Sequence, residues 1–313
     1  MSIVNSPFFY NLVLRNYSPL KRMGMFERLW RQVASTRFDV PTMLYGATAT
    51  LPSDFSLPVT AREFPSFNNP FLELVHYCHR RVDRKLVIID VGASIGDGFL
   101  FINQNLPSAV EKYICIEGHP RFFDYLKQNT ATYNNVLPLQ AVLSDRREQI
   151  SSLVGIHEST ASAQGDKRIE AVPLDELLDS EGSAFDIIKI DTDGFDGRVL
   201  NGSRNILNRS QPYLIFEYHP LLISQTKNNL LQPFDVLEQC GYSRLLWYDK
   251  FGKFSHESKA SDIELHKKYA DDCLRQSTGA DPHFDIIALP PADEGDTDEL
   301  ANCTFSSKKI FQY

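Results

Sequence analysis

Asp90, Gly92, Ser94 and Gly96 lie in the stretch Asp90-Val91-Gly92-Ala93-Ser94-Ile95-Gly96-Asp97, directly after the apolar run Val87-Ile88-Ile89. An acid at the end of an apolar strand, followed by a glycine-bearing turn that opens a helix, is the pattern of a ligand-binding turn. Glycine lets the backbone pass close to a ligand because no Cβ intervenes. The helix start offers unpaired N–H groups to an anionic group such as a carboxylate. Asp90 is placed to orient an ammonium group, directly or through water. A dinucleotide fingerprint would read G-x-G-x-x-G. Here the spacing is G-x-x-x-G, with an acid two residues before the first glycine. That spacing moves the expected cofactor from NAD to S-adenosyl-L-methionine. The plainer reading is a strand–turn–helix without a ligand.

Glu117 ends a second apolar run, Ile114-Cys115-Ile116, and stands 25 residues after Gly92. An acid at about that distance after a glycine turn is placed to bind ribose hydroxyls. Gly118 beside it, Ala141 near the end of a third run at Gln140–Val142, and Asp191 at the end of a fourth complete the expected cofactor set, with adenine beside Ala141. Two further runs end in acids: Ile187-Ile188-Lys189-Ile190-Asp191-Thr192-Asp193-Gly194-Phe195-Asp196 and Ile215-Phe216-Glu217-Tyr218-His219. In an extended segment Asp191 and Asp193 point to one side. They are suited to hold a divalent cation, accept a proton or grip substrate hydroxyls; the plainer role for Asp193 or Asp196 is helix capping. Asp191, Glu217 and His219 form the expected reaction centre, with His219 as the preferred base. The bland alternative for His219 is a hydrogen-bonded loop histidine. No cluster has diagnostic metal-ligand spacing, so a metal remains open, with Asp191 and Asp193 as candidate ligands.

These residues need elements to hold them. Strands are expected at 86–91, 113–117, 136–143, 185–191, 213–218, 243–248 and 285–289, with an inserted pair at 150–156 and 168–172. Helices are expected at 72–81, 95–104, 120–132, 174–179, 198–207 and 233–240. Such alternation implies an α/β fold, a Rossmann-like, mostly parallel sheet with helices on both faces. Ligands then bind at the carboxyl ends of the strands, where strand order reverses. Residues 1–84 read as an N-terminal extension: helical over 1–35, irregular or short-stranded over 36–70, with Tyr45-Gly46 as a turn. This extension and the segment 250–280 are the expected sources of an acceptor pocket, with 1–84 as its lid. Residues 85–292 form the expected catalytic domain. Residues 281–300 carry seven acids and no Lys or Arg, and 293–313 reads as a solvated, mobile tail.

In order and spacing the motifs resemble the FkbM-type methyltransferase family. Its members look like IDVGANIGD, then an acid at the second strand end, then IKIDVEGFE, then a strand ending in FE. This chain has Ser94 where Asn is usual, and Asp193 and Asp196 where Glu is usual; Ala141-Val142-Leu143-Ser144-Asp145 is similar to the family's AVSD stretch with Leu143 inserted. The resemblance covers about residues 85–250. It implies an S-adenosylmethionine-dependent O-methyltransferase acting on a hydroxyl of a sugar, a glycan or a natural product.

The net charge of −8 argues against nucleic acid as partner, because phosphate binding needs a basic surface. Five scattered cysteines without a C-x-x-C pair fit reduced thiols and a cytoplasmic location. No apolar run is long enough for a transmembrane segment. Residues 1–35 hold Arg15, Lys21, Arg22, Arg28 and Arg31 against Glu27 alone. They read as helices docked on the domain, or more sharply as a contact with a membrane surface carrying a lipid-linked substrate. Rival readings are a metal-dependent glycosyltransferase using Asp191-Thr192-Asp193 as a D-x-D site, a dehydrogenase, and a non-catalytic module that keeps the fold. Oligomeric state is not legible in the sequence.

Overall fold

The computed structural model describes residues 6–35, 37–157, 160–182, 184–275, 283–293, 295 and 298–302. Three helices come first: α1 (Pro7–Arg15), α2 (Tyr17–Arg22) and α3 (Phe26–Ala34). Ser6 starts α1, its hydroxyl accepting from the Phe9 N–H at 3.3 Å, with Pro7 at the first helical position. A hairpin of β1 (Asp39–Leu44) and β2 (Ala47–Pro52) follows. Its two-residue turn puts Tyr45 at φ 55° and Gly46 at φ 89°, the left-handed pair that matches strand twist. Helices α4 (Leu57–Glu63) and α5 (Asn69–Arg81) complete the lead-in.

The alternating region begins with β3 (Leu86–Val91), α6 (Asp97–Asn105), β4 (Val110–Glu117), α7 (Pro120–Thr130), β5 (Val136–Gln140) and β6 (Val142–Leu143). It continues through β7 (Glu148–His157), β8 (Thr160–Val172), α8 (Leu174–Leu177), β9 (Ile187–Ile190), α9 (Asp196–Asn201), α10 (Arg204–Ser210) and β10 (Tyr213–Tyr218). Then come α11 (Pro220–Gln225), α12 (Gln232–Gln239), β11 (Arg244–Asp249), β12 (Phe254–Lys259), α13 (Ile263–Arg275), β13 (Phe284–Leu289) and α14 (Asp298–Asn302).

Eight strands form the main sheet in the order β12-β11-β13-β10-β9-β3-β4-β5. From β10 to β5 neighbours run parallel, and β13 joins antiparallel between β10 and β11. Every residue of β3 is buried, as a central parallel strand covered on both faces must be. Strand order reverses beside β3: β4 and β5 extend one way, β9 and β10 the other. The carboxyl ends of β3 and β9 therefore frame the crevice. Tyr10, Val40, Phe55 and Leu72 share one apolar cluster with Ile88 and Phe99, so the lead-in and the sheet bury a common core.

Three expectations need correction. The strand expected over 136–143 breaks at Ala141, whose N–H bonds the Glu117 carbonyl at 3.3 Å; β6 then pairs with β8 in a separate three-stranded sheet. The helix expected over 198–207 is split into α9 and α10 at Gly202-Ser203, because the chain there passes so close to Ser144 that a Cβ on Gly202 would lie 2.2 Å from its carbonyl oxygen. Of the tail expected to be solvated, Asp293 and Leu300 are packed against the domain, while residues 303–313 lie outside the described residues. Asp293 accepts hydrogen bonds from the Tyr77 hydroxyl at 3.0 Å, the Tyr213 hydroxyl at 2.7 Å and the Gly295 N–H at 2.8 Å. Leu300 of α14 is fully buried. An acidic run reads as solvated only when its cationic and phenolic partners, far away in sequence, are unknown.

Replacing Asp293 by Ala should strand two tyrosine hydroxyls and cost about 1–3 kcal/mol. A shift of the urea midpoint at constant slope would register it; an unchanged midpoint would return residues 293–302 to a dispensable tail.

Candidate functional site

The turn after β3 is built by three left-handed residues, Gly92 (φ 81°), Ser94 (φ 47°) and Gly96 (φ 86°). A Cβ on Gly92 would lie 1.8 Å from the Asp191 carbonyl oxygen, so only glycine lets β3 and the end of β9 approach this closely. The N–H groups of Gly92 and Ala93 both donate to the Ile116 carbonyl, at 2.9 and 3.1 Å, pinning the turn to the end of β4. Glu117 completes the clamp. One carboxylate oxygen accepts from the Ser94 N–H at 2.8 Å and the other from the His119 N–H at 2.6 Å. Gly96 sits behind the turn against Leu126, where a Cβ would have only 3.0 Å.

Asp90 is buried under this turn. It accepts from the Tyr113 hydroxyl at 2.9 Å, and its other oxygen lies 3.4 Å from the Lys189 ammonium. Lys189 also reaches Asp191 at 3.1 Å. Burial alone would lower the Lys189 pKa, but the carboxylates of Asp191, Asp90 and Asp97 outweigh it and hold the ammonium well above the usual lysine range. Gly98, on the first turn of α6, brings the helix against Asp90: a Cβ there would lie 2.6 Å from the carboxylate. Neither Lys189 nor Gly98 was singled out from the sequence. The signal available was a cation between apolar residues of a central strand.

A cavity of about 420 Å³ opens above these groups. Asp90, Gly92, Ser94, Glu117, Gly118, Ala141, Asp191, Asp193 and Glu217 line it; Gly96 and His219 do not. Val142, Leu143 and Ile150 form an apolar wall beside Ala141. The roof comes from the lead-in, with Phe55, Leu57, Thr60, Phe67 and Phe71, and from Phe122 on α7. Residues of the 36–70 segment therefore line the cavity. From 250–280 the contribution is indirect: Phe251 stacks on Phe64 with ring centroids 4.1 Å apart, and its carbonyl accepts from the Ser66 hydroxyl at 2.6 Å.

The far side of the cavity is acidic. Carboxylate oxygens of Asp191, Asp193 and Glu217 lie within 4.8 Å of one another. Asp285 pairs with Glu217 in the register of β13 and β10, and the His283 Nε2 is 3.7 Å from Glu217. His219 lies outside the cavity lining. Its Nδ1 accepts from the Leu222 N–H at 3.4 Å to start α11, and its ring stacks on His283 at 4.9 Å. The bland reading fits it, and His283 occupies the position facing Glu217. The strand was expected to begin at Asp285, which left His283 outside it. Asp196 is the first residue of α9 and does not cap it; its carboxylate accepts from the Thr192 and Gly194 N–H groups, each at 3.2 Å, and so fixes the loop before the helix.

Burial is the leading cause of raised carboxyl pKa values here. It pushes Asp97, Glu117, Asp196 and Asp285 up to about 7. Burial, reinforced by Asp191, Asp193 and Asp196, raises Glu217 well above the usual carboxylate range. A raised folded-state pKa means the folded chain keeps protons that the unfolded chain has shed. This contribution is full below about pH 4 and is lost as pH rises through 7. Glu217→Gln should thus raise the melting temperature of the ligand-free protein at pH 8 and leave it nearly unchanged at pH 5. Equal shifts at both pH values would refute this account of the cluster.

The family model for the methyltransferase FkbM domain matches residues 90–244, which includes every one of these strand-end acids except Asp285. Among solved structures, the chain is similar to methyltransferase FkbM from Methylobacillus flagellatus, at 15% identity and a TM-score of 0.41; the match covers 66% of this chain and 44% of that one. It is similar to precorrin-6y C5,15-methyltransferase from Geobacter metallireducens, at 14% identity over 69% of this chain and 87% of that one, TM-score 0.37. M. jannaschii TYW2 in complex with AdoMet matches at 12% identity over 80% and 85%, TM-score 0.43. No curated protein matches the chain. The match identifies residues 90–244, just under half of the chain, as a methyltransferase FkbM domain.

Proposed function

We propose that the protein transfers a methyl group from S-adenosylmethionine to a hydroxyl of a sugar, a glycan or a natural product. The observation that carries this reading is the division of the cavity: a glycine turn stitched by Glu117 on one side, and converging carboxylates under an aromatic roof on the other. In this reading Glu117, which has lone pairs left beyond its two backbone donors, receives the ribose hydroxyls. Gly92, Ser94 and Gly118 give the cofactor a close backbone, Ala141 and Val142 flank adenine, and Asp90 with Lys189 sets the charge beneath the amino-acid end. Gly96 holds the turn from behind.

Methyl transfer from a sulfonium needs acceptor oxygen, methyl carbon and sulfur in line, so alignment supplies much of the catalysis. Asp191 and Glu217 would receive the acceptor hydroxyl. Glu217 replaces His219 as the base: it faces the cavity, and a carboxylate of raised proton affinity is the better acceptor of a hydroxyl proton. His283, 3.7 Å away, is placed to take up charge on Glu217. The oxygens of Asp191, Asp193 and Glu217 would also suit a divalent cation, which would polarise the acceptor hydroxyl.

Calorimetry with S-adenosylmethionine should give micromolar binding, about −8 kcal/mol. Glu117→Ala should weaken it by about 1–3 kcal/mol. A folded protein that binds neither S-adenosylmethionine nor S-adenosylhomocysteine would end the proposal; manganese-dependent binding of a sugar nucleotide instead would favour the D-x-D reading. Glu217→Gln should lower kcat by about 10²–10⁴ with cofactor affinity preserved. Turnover that survives EDTA would assign Asp191 and Asp193 to the acceptor; loss restored by magnesium or manganese would assign them to a cation.

A further inference from the structure

We infer that the three N-terminal helices dock the protein onto an anionic lipid surface. The inference is independent of the methyl-transfer reading. Among the described residues, the exposed large hydrophobic side chains are Phe8, Leu12, Met23 and Met25, with Phe8 74% and Met23 67% exposed. All four fall within α1 and the junction of α2 with α3, none on the sheet domain.

These side chains do not hold the helices together. Tyr10, Tyr17, Phe26 and Trp30 do so from the inside, with ring centroids 4.7–5.9 Å apart. Phe8, Leu12 and Arg15 are spaced i, i+4, i+7 and are all exposed, so one outward stripe of α1 is apolar and ends in a cation. Met23 and Met25 flank Gly24, which has no heavy atom within 4 Å of its Cβ position. Single exposed apolar residues are ordinary; confinement of the four largest to one short stretch of chain is not.

Charge decides what should cover them. Residues 1–35 hold five cations and one acid, +4, in a chain whose net charge is −8, leaving −12 for the rest. Arg22 and Arg28 are exposed beside Met23 and Met25. Exposed apolar side chains with exposed arginines near them in the chain, on an otherwise acidic protein, match an anionic membrane interface, where each cation near the surface adds to the attraction. The acidic remainder would be repelled, which fixes the orientation. No described helix is long and apolar enough to span a bilayer, so the contact would be peripheral. Docking there also places the cavity: Lys21 on α2 bonds Glu63 on α4 at 2.9 Å, and α4 supplies Leu57 and Thr60 to the roof.

The test is flotation of the full chain with phosphatidylcholine vesicles, with and without about one-third phosphatidylglycerol. Binding should require the anionic lipid and fall as salt rises. Phe8→Ser with Leu12→Ser, and separately Arg22→Glu with Arg28→Glu, should each lower partitioning about tenfold or more. Unchanged far-UV circular dichroism would establish that the variants fold. Failure of the folded wild type to float, equal binding to neutral vesicles, or variants that float like the wild type would overturn the inference. So would a concentration-dependent dimer that Phe8→Ser with Leu12→Ser dissociates, since the face would then belong to a second copy of the chain.

Discussion

Parallel register sets Lys189 of β9 directly beside Asp90 of β3, and the rest of the site depends on that pairing. The switch point of the sheet gathers Asp90, Asp97, Asp191, Glu217 and Asp285 into a small volume under apolar cover. Carboxylates taken out of water are costly unless paired or protonated. One ammonium, shared between Asp90 and Asp191, removes part of that cost. Burial pushes the carboxyls of Asp97 and Asp285 up to about 7, so protonation near neutral pH removes more. Loss of Lys189 would leave Asp90 buried with only the Tyr113 hydroxyl as partner, and the turn built above it would lose its foundation.

Much of this was legible in the sequence because the motifs are local. Strand, acid, glycine turn and helix start are contiguous in residues 86–105, so the glycine-turn side of the cavity follows from one short reading. The strands ending at Glu117, Asp191 and Glu217 were legible for the same reason: apolar runs of four to six residues punctuated by acids. What escaped depended on partners distant in sequence. His283 faces Glu217 only because β13 inserts antiparallel beside β10, and strand order is not written in hydrophobic periodicity. His219 looked catalytic because it follows a strand-end acid by two residues, yet the step into α11 turns its ring toward the helix start. The packed C-terminal segment was hidden in the same way, since Asp293 finds Tyr77 and Tyr213, 216 and 80 residues away.

The glycines divide by what they make room for. Gly92 admits the Asp191 carbonyl, Gly98 the Asp90 carboxylate, and Gly194 the backbone of Leu222 at 2.6 Å. Gly92 and Gly194 are points where backbone meets backbone, and at Gly98 a helix closes directly on the Asp90 carboxylate. The acids can converge because the backbone around them is this tightly drawn. Flexibility is therefore not their main contribution here; close approach is.

The acids themselves fall into two groups, and the difference bears on the acceptor. Glu117 and Asp196 spend their oxygens on backbone N–H groups, two each, and so fix loops. Asp191, Asp193, Glu217 and Asp285 instead surround one another, with Lys189 as the nearby cation and the His283 ring 3.7 Å from Glu217. That half of the cavity is rich in hydrogen-bond acceptors and poor in donors. A hydroxyl-bearing ring supplies donors without adding negative charge, and its apolar face suits the phenylalanine roof. A phosphate or carboxylate at the same place would meet several carboxylates at short range and be disfavoured. The electrostatics thus suit a neutral, polyhydroxylated segment, the kind of acceptor the proposed methyl transfer calls for, with any anionic part of it held outside the cavity.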